Sequence, residues 1–162
     1  MELLDHLGTY INAQKNVGTQ FILIGALLLI IAGWSHFSDT SQLSSGLKIG
    51  AIICGLLILA GGIGYRSTEA TLLKKQTELF QNSQTEFKQL ETERMEKVKK
   101  DYPVYQIVFS VFIVAALLVV SLVKNPFWHG IAFAMMLLMI GVMIIEAYSQ
   151  RSINLYYEHL IS

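Results

Sequence analysis

The sequence predicts an all-α integral membrane protein, a four-transmembrane-helix bundle with a cytoplasmic helical hairpin between helices 2 and 3. Hydrophobic residues make up 53% of the 162 residues and charged residues only 15%, which is too apolar for a soluble domain of this size. Four apolar segments are each about 20 residues long, the length that a helix needs to cross a bilayer. Between the second and the third lies a charged segment that is rich in helix-forming residues and contains no Gly or Pro.

The four apolar segments divide the chain into five parts. The segments themselves are residues 20–37, 46–65, 103–123 and 127–148. Because lipid offers no water to a peptide group, each segment has to cross as a helix. We therefore expect an N-terminal amphipathic cytoplasmic helix (1–19), transmembrane helices 1 and 2 (20–65), the cytoplasmic hairpin (66–102), transmembrane helices 3 and 4 (103–148) and a C-terminal cytoplasmic helical tail (149–162).

Residues 1–19 combine an apolar face with an acidic first turn. Leu7 and Ile11 share one face of a helix, and Asp5 suits the positive end of the helix dipole. A helix that lies on lipid usually carries basic residues on its polar side, and this one has none before Lys15. We therefore expect it to pack on protein. The segment also lacks the cationic start of a signal peptide, so the first apolar segment is expected to be retained.

The basic residues are distributed unevenly between the two sides of the membrane. If both termini are inside, ten of the twelve Lys and Arg residues are cytoplasmic and only Lys48 and Lys124 lie outside. Cytoplasmic loops carry such an excess, and Trp34 and Trp128 then fall at the outer interface, where aromatic residues collect. We predict a multi-pass protein of the plasma or bacterial inner membrane with cytoplasmic N- and C-termini.

The second apolar segment holds six of the twelve glycines. Gly46 and Gly50 stand four residues apart, as do Ala51 and Gly55, so small residues share a helix face and allow a neighbouring backbone to approach closely. We expect this helix to be the central one and to pack through these four residues. The pattern leaves open whether the contact is within one chain or between chains.

Residues 66–102 would form a helix about 55 Å long if they were unbroken. The third apolar segment has to begin back at the membrane, so the charged segment is expected to fold as a hairpin. Asn82-Ser83 is the expected turn, because both residues favour nonhelical local hydrogen bonds. Each arm is expected to continue a transmembrane helix, with Pro103 at the join to the third.

Apolar residues form a stripe along both arms of the predicted hairpin. Leu73, Phe80 and Phe87 recur every seven residues, and Leu90 and Met95 lie near them. We expect the arms to pair as a short antiparallel coiled coil, and the five residues to form a surface for self-association or for a partner. The alternative is that the stripe closes within the chain.

The C-terminal tail continues an amphipathic pattern beyond the fourth apolar segment. Ile153, Tyr156 and Leu160 share one face, so we expect the tail to dock against the hairpin.

Three polar residues are candidates for a polar pore or an ion site. Gln106 and Ser110 begin a row of polar residues along one face of the third apolar segment. This row ends at Ile113, where the face becomes apolar. Glu146 lies two residues from the end of the fourth segment, and ionisable residues within a span are functional candidates. The alternative for Glu146 is a carboxylate that reaches the interface and is solvated there.

No pattern of residues predicts catalysis, a cofactor or a metal. Cys54 is the one cysteine, so disulfide exchange lacks its second thiol, and no apolar segment contains aspartate. His36, His129 and Asp39 could meet at the outer face, but they lack metal-ligand spacing and are expected to be interfacial polar residues. A net charge of zero gives no basic surface for nucleic acid.

The expected function is nonenzymatic: cytoplasmic helices that mediate self-association or bind a cytoplasmic protein, as a regulatory, immunity or effector subunit would. The expected partners are membrane lipid and either a second copy or that protein. One alternative is a homo-oligomeric pore or ion channel, and a second is an intramembrane enzyme. In topology the chain is similar to the large-pore channels of the connexin and calcium-homeostasis-modulator kind, although their outer cysteines and longer outer loops are missing here.

Overall fold

The chain folds into a bundle of long helices. The computed structural model describes residues 2–38 and 41–162, and these form α1 (Glu2–Ser38), α2 (Gln42–Asn82), α3 (Gln84–Leu122) and α4 (Pro126–Ile161). Each helix has 36 to 41 residues and is therefore about 55 to 60 Å long. All four are long and apolar enough to cross a membrane, which indicates a membrane protein.

Every helix has one apolar and one polar part, so the bundle has two halves. We call the four apolar segments (20–37, 46–65, 103–123 and 127–148) the apolar half, and residues 2–19, 66–102 and 149–162 the polar half. The N-terminal amphipathic helix is continuous with the first apolar segment, since no proline interrupts α1. The C-terminal tail likewise continues α4.

Short polar residues stop and start the helices. Ser83 is the single residue between α2 and α3, at the position predicted for the turn. Its backbone N–H donates to the Leu79 carbonyl at 2.9 Å, and its hydroxyl accepts from the Glu86 N–H at 3.3 Å, which satisfies orphan groups of both helix ends. Asn125 caps α4 in the same way. Pro103 lies inside α3 without ending it.

In the apolar half and at its border with the polar half, α1 and α2 pack through pairs of glycines. A Cβ on Gly55 would lie 3.0 Å from the Gly25 carbonyl oxygen, and a Cβ on Gly62 would lie 2.7 Å from the Gly18 carbonyl oxygen. The two backbones are therefore in direct contact at two levels, as small residues permit in membrane helices.

A second face of α2 packs equally closely on α4. A Cβ on Gly46 would overlap the Phe127 carbonyl, and one on Gly50 would lie 2.9 Å from the Cβ of Ala134. Ala51, one residue further along, is fully buried in the core of the apolar half. The small residues singled out in the sequence thus lie at contacts within one chain, and α2 is the central helix.

In the apolar half, α3 is peripheral. Along residues 103–123 only Ala116 is buried, while Ile107 and Val111 are each at least 60% exposed. Here Phe109 of α3 packs against the core cluster that contains Leu138 and Val142 of α4. Of the neighbouring helices, α2 and α3 share the smallest interface. An open side therefore lies between α2 and α3.

The polar half has its own core, to which all four helices contribute. Phe87 and Met95 are fully buried there. From α1 and α4, Tyr10 stacks on Tyr156 with ring centroids 4.7 Å apart, and His6 stacks on His159 at 3.9 Å. Leu7, Ile11, Ile153 and Leu160 fill the same cluster.

The predicted pairing of the two hairpin arms holds at the tip, where Phe80 meets Phe87 edge to face at 5.2 Å. Away from the tip the structure does not support a two-stranded coiled coil, because α1 and α4 contribute to the same cluster as the two arms. The assignment of Leu90 to the stripe is also wrong, since this side chain is 44% exposed. Phe87 and Met95 are eight residues apart, so the buried residue between them is Glu91, and Leu90 is rotated about 100° away.

Candidate functional site: a cavity between the helices

A cavity of about 600 Å³ lies where the apolar and polar halves meet. Its size is that of a pocket for a drug-sized ligand. All four helices line it, with aromatic and apolar side chains toward the apolar half and, apart from Glu146, charged side chains toward the polar half. The lining residues are Tyr10, Gln14, Phe21, Ile58, Tyr65, Glu69, Arg94, Lys97, Val98, Asp101, Tyr102, Tyr105, Phe109, Leu138, Met139, Val142, Glu146, Ser149 and Ile153.

Gln14 ties three helices together at the wall of the cavity. Its amide oxygen accepts hydrogen bonds from the Tyr65 hydroxyl at 2.8 Å and the Ser149 hydroxyl at 3.0 Å, and its amide nitrogen donates to the Ser152 hydroxyl at 2.9 Å. Gln14 is 1% exposed. A buried amide with these partners fixes α1, α2 and α4 at one level of the bundle.

Arg94 enters the cavity with its charge already paired. Its Nε and one terminal nitrogen donate to the two carboxylate oxygens of Glu91 at 2.8 and 2.6 Å, and its guanidinium lies 5.5 Å from the centre of the Tyr10 ring. Desolvation by burial lowers the pKa of the Arg94 guanidinium, but the hydrogen bonds that it donates to Glu91, together with the negative charge of that carboxylate, outweigh this effect and raise the pKa overall. At the cavity wall, a carboxylate and a tyrosine ring thus already bind one cation, the guanidinium of Arg94.

Two buried polar groups of the wall lack a hydrogen-bond partner within the described chain. They are one carboxylate oxygen of Glu69 and the hydroxyl of Tyr102; the two side chains are 8% and 5% exposed. Burial raises the pKa of the Glu69 carboxyl, and Glu91 adds to this effect, while Arg94 and Lys15 oppose it. An unsatisfied buried oxygen costs free energy unless a ligand or water meets it.

The carboxylates are spread along the axis of the bundle. Glu69 lies one turn beyond Tyr65 toward the polar half, and Glu146 lies one turn before Ser149 toward the apolar half. Because Gln14 bonds both Tyr65 and Ser149, the two carboxylates are about 10 Å apart along the axis.

The structure separates the residues predicted as a pore or ion site. Glu146 lines the cavity, whereas Gln106 and Ser110 lie on an exposed face of α3 beside it, with Pro103 and Val114. The predicted association residues lie elsewhere. Phe87 and Met95 are in the core of the polar half, Leu73 and Phe80 pack against that core, and Leu90 is exposed.

The sequence-based interpretation missed the polar residues of the cavity, although a periodic signal exists for some of them. Glu69 and Gln76 stand seven residues apart on the side of α2 that also carries Leu73, and Glu91 is four residues from Phe87. A polar residue at such an apolar position is typical of a buried polar contact. Gln14 likewise stands seven residues from Leu7, on the face that carries Ile11. The pattern does not identify its three partners, which are on other helices and more than 50 residues away.

Two histidines, His36 and His129, were considered with Asp39 as a metal site. His36 is exposed and packs on Phe37, while His129 hydrogen-bonds the Val123 carbonyl. Asp39 lies outside the described residues. Within those residues no three His, Cys, Asp or Glu side chains form a metal-binding group.

No family model matches the chain, and neither a curated protein nor a solved structure is significantly similar to it.

Proposed function

We propose that the chain is a nonenzymatic multi-pass membrane protein, of the plasma or bacterial inner membrane, that acts by association with a second copy of itself through α3. The observation that carries the proposal is the exposed face of α3 in the apolar half, which bears Gln106 and Ser110. The polar half, with both termini, would then lie in the cytoplasm, as the distribution of basic residues favours.

The polar half supports α3 as the associating surface in place of the stripe. Phe87 and Met95 are covered by the chain's own helices, so neither side chain is free for a partner. On α3, Gln106 and Ser110 are one turn apart on an exposed face. Lipid cannot hydrogen-bond the Gln106 amide, whereas the same amide of a second α3 can, and such interhelical bonds stabilise association by about 1 kcal/mol.

Disulfide cross-linking tests this interface directly. In a Cys54→Ser background, Ser110→Cys is expected to give a cross-linked dimer in membranes, because two α3 helices would meet at this face. Val108→Cys is the matched control: it is exposed on the same helix but points about 200° away. Equal cross-linking at both positions, or a monomer in mild detergent, would exclude the proposed interface.

A homo-oligomeric pore is a second candidate, favoured by the same polar face. In a closed ring of copies, Gln106 and Ser110 would face a shared conduit. Discrete conductance in planar bilayers that Gln106→Leu reduces would support a pore. Dimers without conductance would exclude the pore and would still support association through α3.

The orientation has its own experiment. A reporter fused after Ser162 and a tag inserted at Asn82 are both expected inside intact cells. Either one found outside would reverse the assignment of the polar half to the cytoplasm, without bearing on whether α3 associates.

A further inference from the structure

We propose that the cavity between the helices is a binding site for an amphipathic cation, a protonated amine or quaternary ammonium that carries an apolar group. The site does not depend on self-association, because every residue of its wall belongs to one chain.

The charges of the wall favour a cation. Carboxylates come from Glu69, Asp101 and Glu146, and Glu91 lies behind Arg94, whose charge it neutralises. Among the cations of the wall that leaves Lys97, which is exposed and so reaches water, against three carboxylates. Lys15 also acts on Glu69, but it lies outside the wall. An anion would meet this excess of negative charge, whereas a cation would reduce it.

A buried group also lacks the partner that such a ligand would supply. One oxygen of the Glu69 carboxylate, 8% exposed, has no hydrogen-bond partner within the described chain. It is an acceptor, so the group that satisfies it has to be a donor or a positive charge. A protonated amine provides both.

The aromatic residues supply the second half of cation recognition. Tyr65, Tyr102 and Tyr105 belong to the same wall as Glu69, and rings of this kind attract an ammonium group over their faces. The chain uses this chemistry itself at Tyr10, over which Arg94 lies. A quaternary ammonium has no N–H group to donate, so carboxylates and aromatic faces are the groups that can bind it.

The other end of the cavity suits an apolar group. Phe21, Phe109 and Leu138 line it in the apolar half, and the small interface between α2 and α3 leaves a side open there. Tyr105 stands at the rim, 52% exposed. A ligand that partitions into lipid could enter between α2 and α3 with its charge toward Glu69.

Binding of two probes of the same shape tests the proposal. Tetraphenylphosphonium is a cation and tetraphenylborate an anion of nearly equal size. Titrated by calorimetry into the full chain in mild detergent, with empty micelles as the blank, the cation is expected to bind and the anion not. Equal binding of both ions would mean that the cavity is an apolar pocket without preference for a cation, which would overturn the proposal. Absence of cation binding would overturn it as well.

Variants locate the site. Glu69→Gln combined with Glu146→Gln is expected to weaken tetraphenylphosphonium binding more than about tenfold, because a desolvated cation loses its counter-charges. Glu78→Gln, on an exposed part of α2, is the matched control and should bind like the wild type. Tyr105→Leu, at the exposed rim, removes a ring with little effect on folding and should also weaken binding. Wild-type affinity in both cavity variants would contradict the assignment.

Discussion

Gly46 of α2 lies against Gly130 of α4 so closely that a Cβ on Gly130 would stand 2.8 Å from the carbonyl carbon of Gly46. A Cβ on Gly46 would in turn overlap the carbonyl of Phe127. Neither side chain could be added without moving a helix backbone. This contact joins α2 to α4 near the N-terminal ends of both helices, on the side of the bundle farthest from the polar half.

We expect Gly46→Ala to destabilise the chain by about 1 to 3 kcal/mol, the usual cost of overpacking a close contact. Unfolding by sodium dodecyl sulfate from mild detergent, followed by circular dichroism, measures the change. Gly61→Ala is the matched control on the same helix, because a Cβ there would meet no atom within 4 Å. Because alanine favours a helix more than glycine does, Gly61→Ala should lose no stability. Equal losses in the two variants would mean that the contact with α4 does not set the cost.

The hydrogen bonds of Gln14 give a second expectation. Gln14→Ala leaves the Tyr65 hydroxyl without its acceptor in a buried wall, and an unmade buried hydrogen bond costs about 1 to 3 kcal/mol. The same unfolding assay applies, with Gln20→Ala, which is exposed on α1, as the control. Stability equal to that of the control would show that water replaces Gln14 in the wall.

Local patterns accounted for much of the fold. The helices α2 and α3 both have their far ends in the apolar half, so the chain has to turn between them. The length of the charged segment and the local hydrogen bonding of Ser83 were enough to predict the position of that turn. Gly46 and Gly50 marked a close contact because small residues have that effect on any neighbour. Neither pattern identifies which helix the neighbour is, and α4 followed only from the structure.

Contacts between helices distant in sequence could not be derived in the same way. The stripe predicted an apolar face but not the helices that cover it. Those helices are α1 and α4, and their residues in the cluster are more than 50 positions away in sequence from the residues of the stripe. Leu90 was assigned to the buried face in place of Glu91 because a seven-residue repeat does not distinguish between these two adjacent positions. The cavity depends on Gln14, Glu69 and Arg94 meeting from three helices, which no single periodicity encodes.

Glu91 is fully buried and forms an ion pair with the partly buried Arg94, so removing one charge should cost more stability than removing both. Arg94→Met leaves the Glu91 carboxylate, 0% exposed, without its counter-charge, and such a change costs about 3 to 5 kcal/mol. Arg94→Met with Glu91→Leu removes both charges and should recover most of that loss. Lys97→Met, one turn along α3 and exposed, is the control. A double variant as unstable as Arg94→Met would show that the pair contributes more than mutual neutralisation.

The stability of the chain should depend on pH through Glu69. Burial raises the pKa of its carboxyl in the folded chain above the ordinary value of 4.5, so the folded chain binds this proton more tightly than the unfolded chain does. As pH rises from about 4.5 through the raised value, this group makes the folded state progressively less stable. Glu69→Gln is therefore expected to be more stable than the wild type at neutral pH and similar to it near pH 4.

The comparison is made by unfolding in sodium dodecyl sulfate at a series of pH values, with Glu78→Gln on the exposed side of α2 as the control. The difference between Glu69→Gln and wild type should grow with pH, and the control should show no such trend. A Glu69→Gln variant that is less stable than the wild type at neutral pH would mean that the charged form is the one the fold favours.

Phe87 and Leu90 test whether the stripe is a core or a surface for partners. Phe87 is fully buried and Leu90 is 44% exposed on the same helix, three residues away. Phe87→Ala is expected to cost about 3 to 5 kcal/mol, because it opens a cavity in the polar half. Leu90→Ala should change stability by no more than about 0.5 kcal/mol. If Phe87→Ala were as stable as Leu90→Ala but failed to associate, the stripe would be a partner surface, as first predicted from the sequence, and α1 and α4 would not cover it in the functional state.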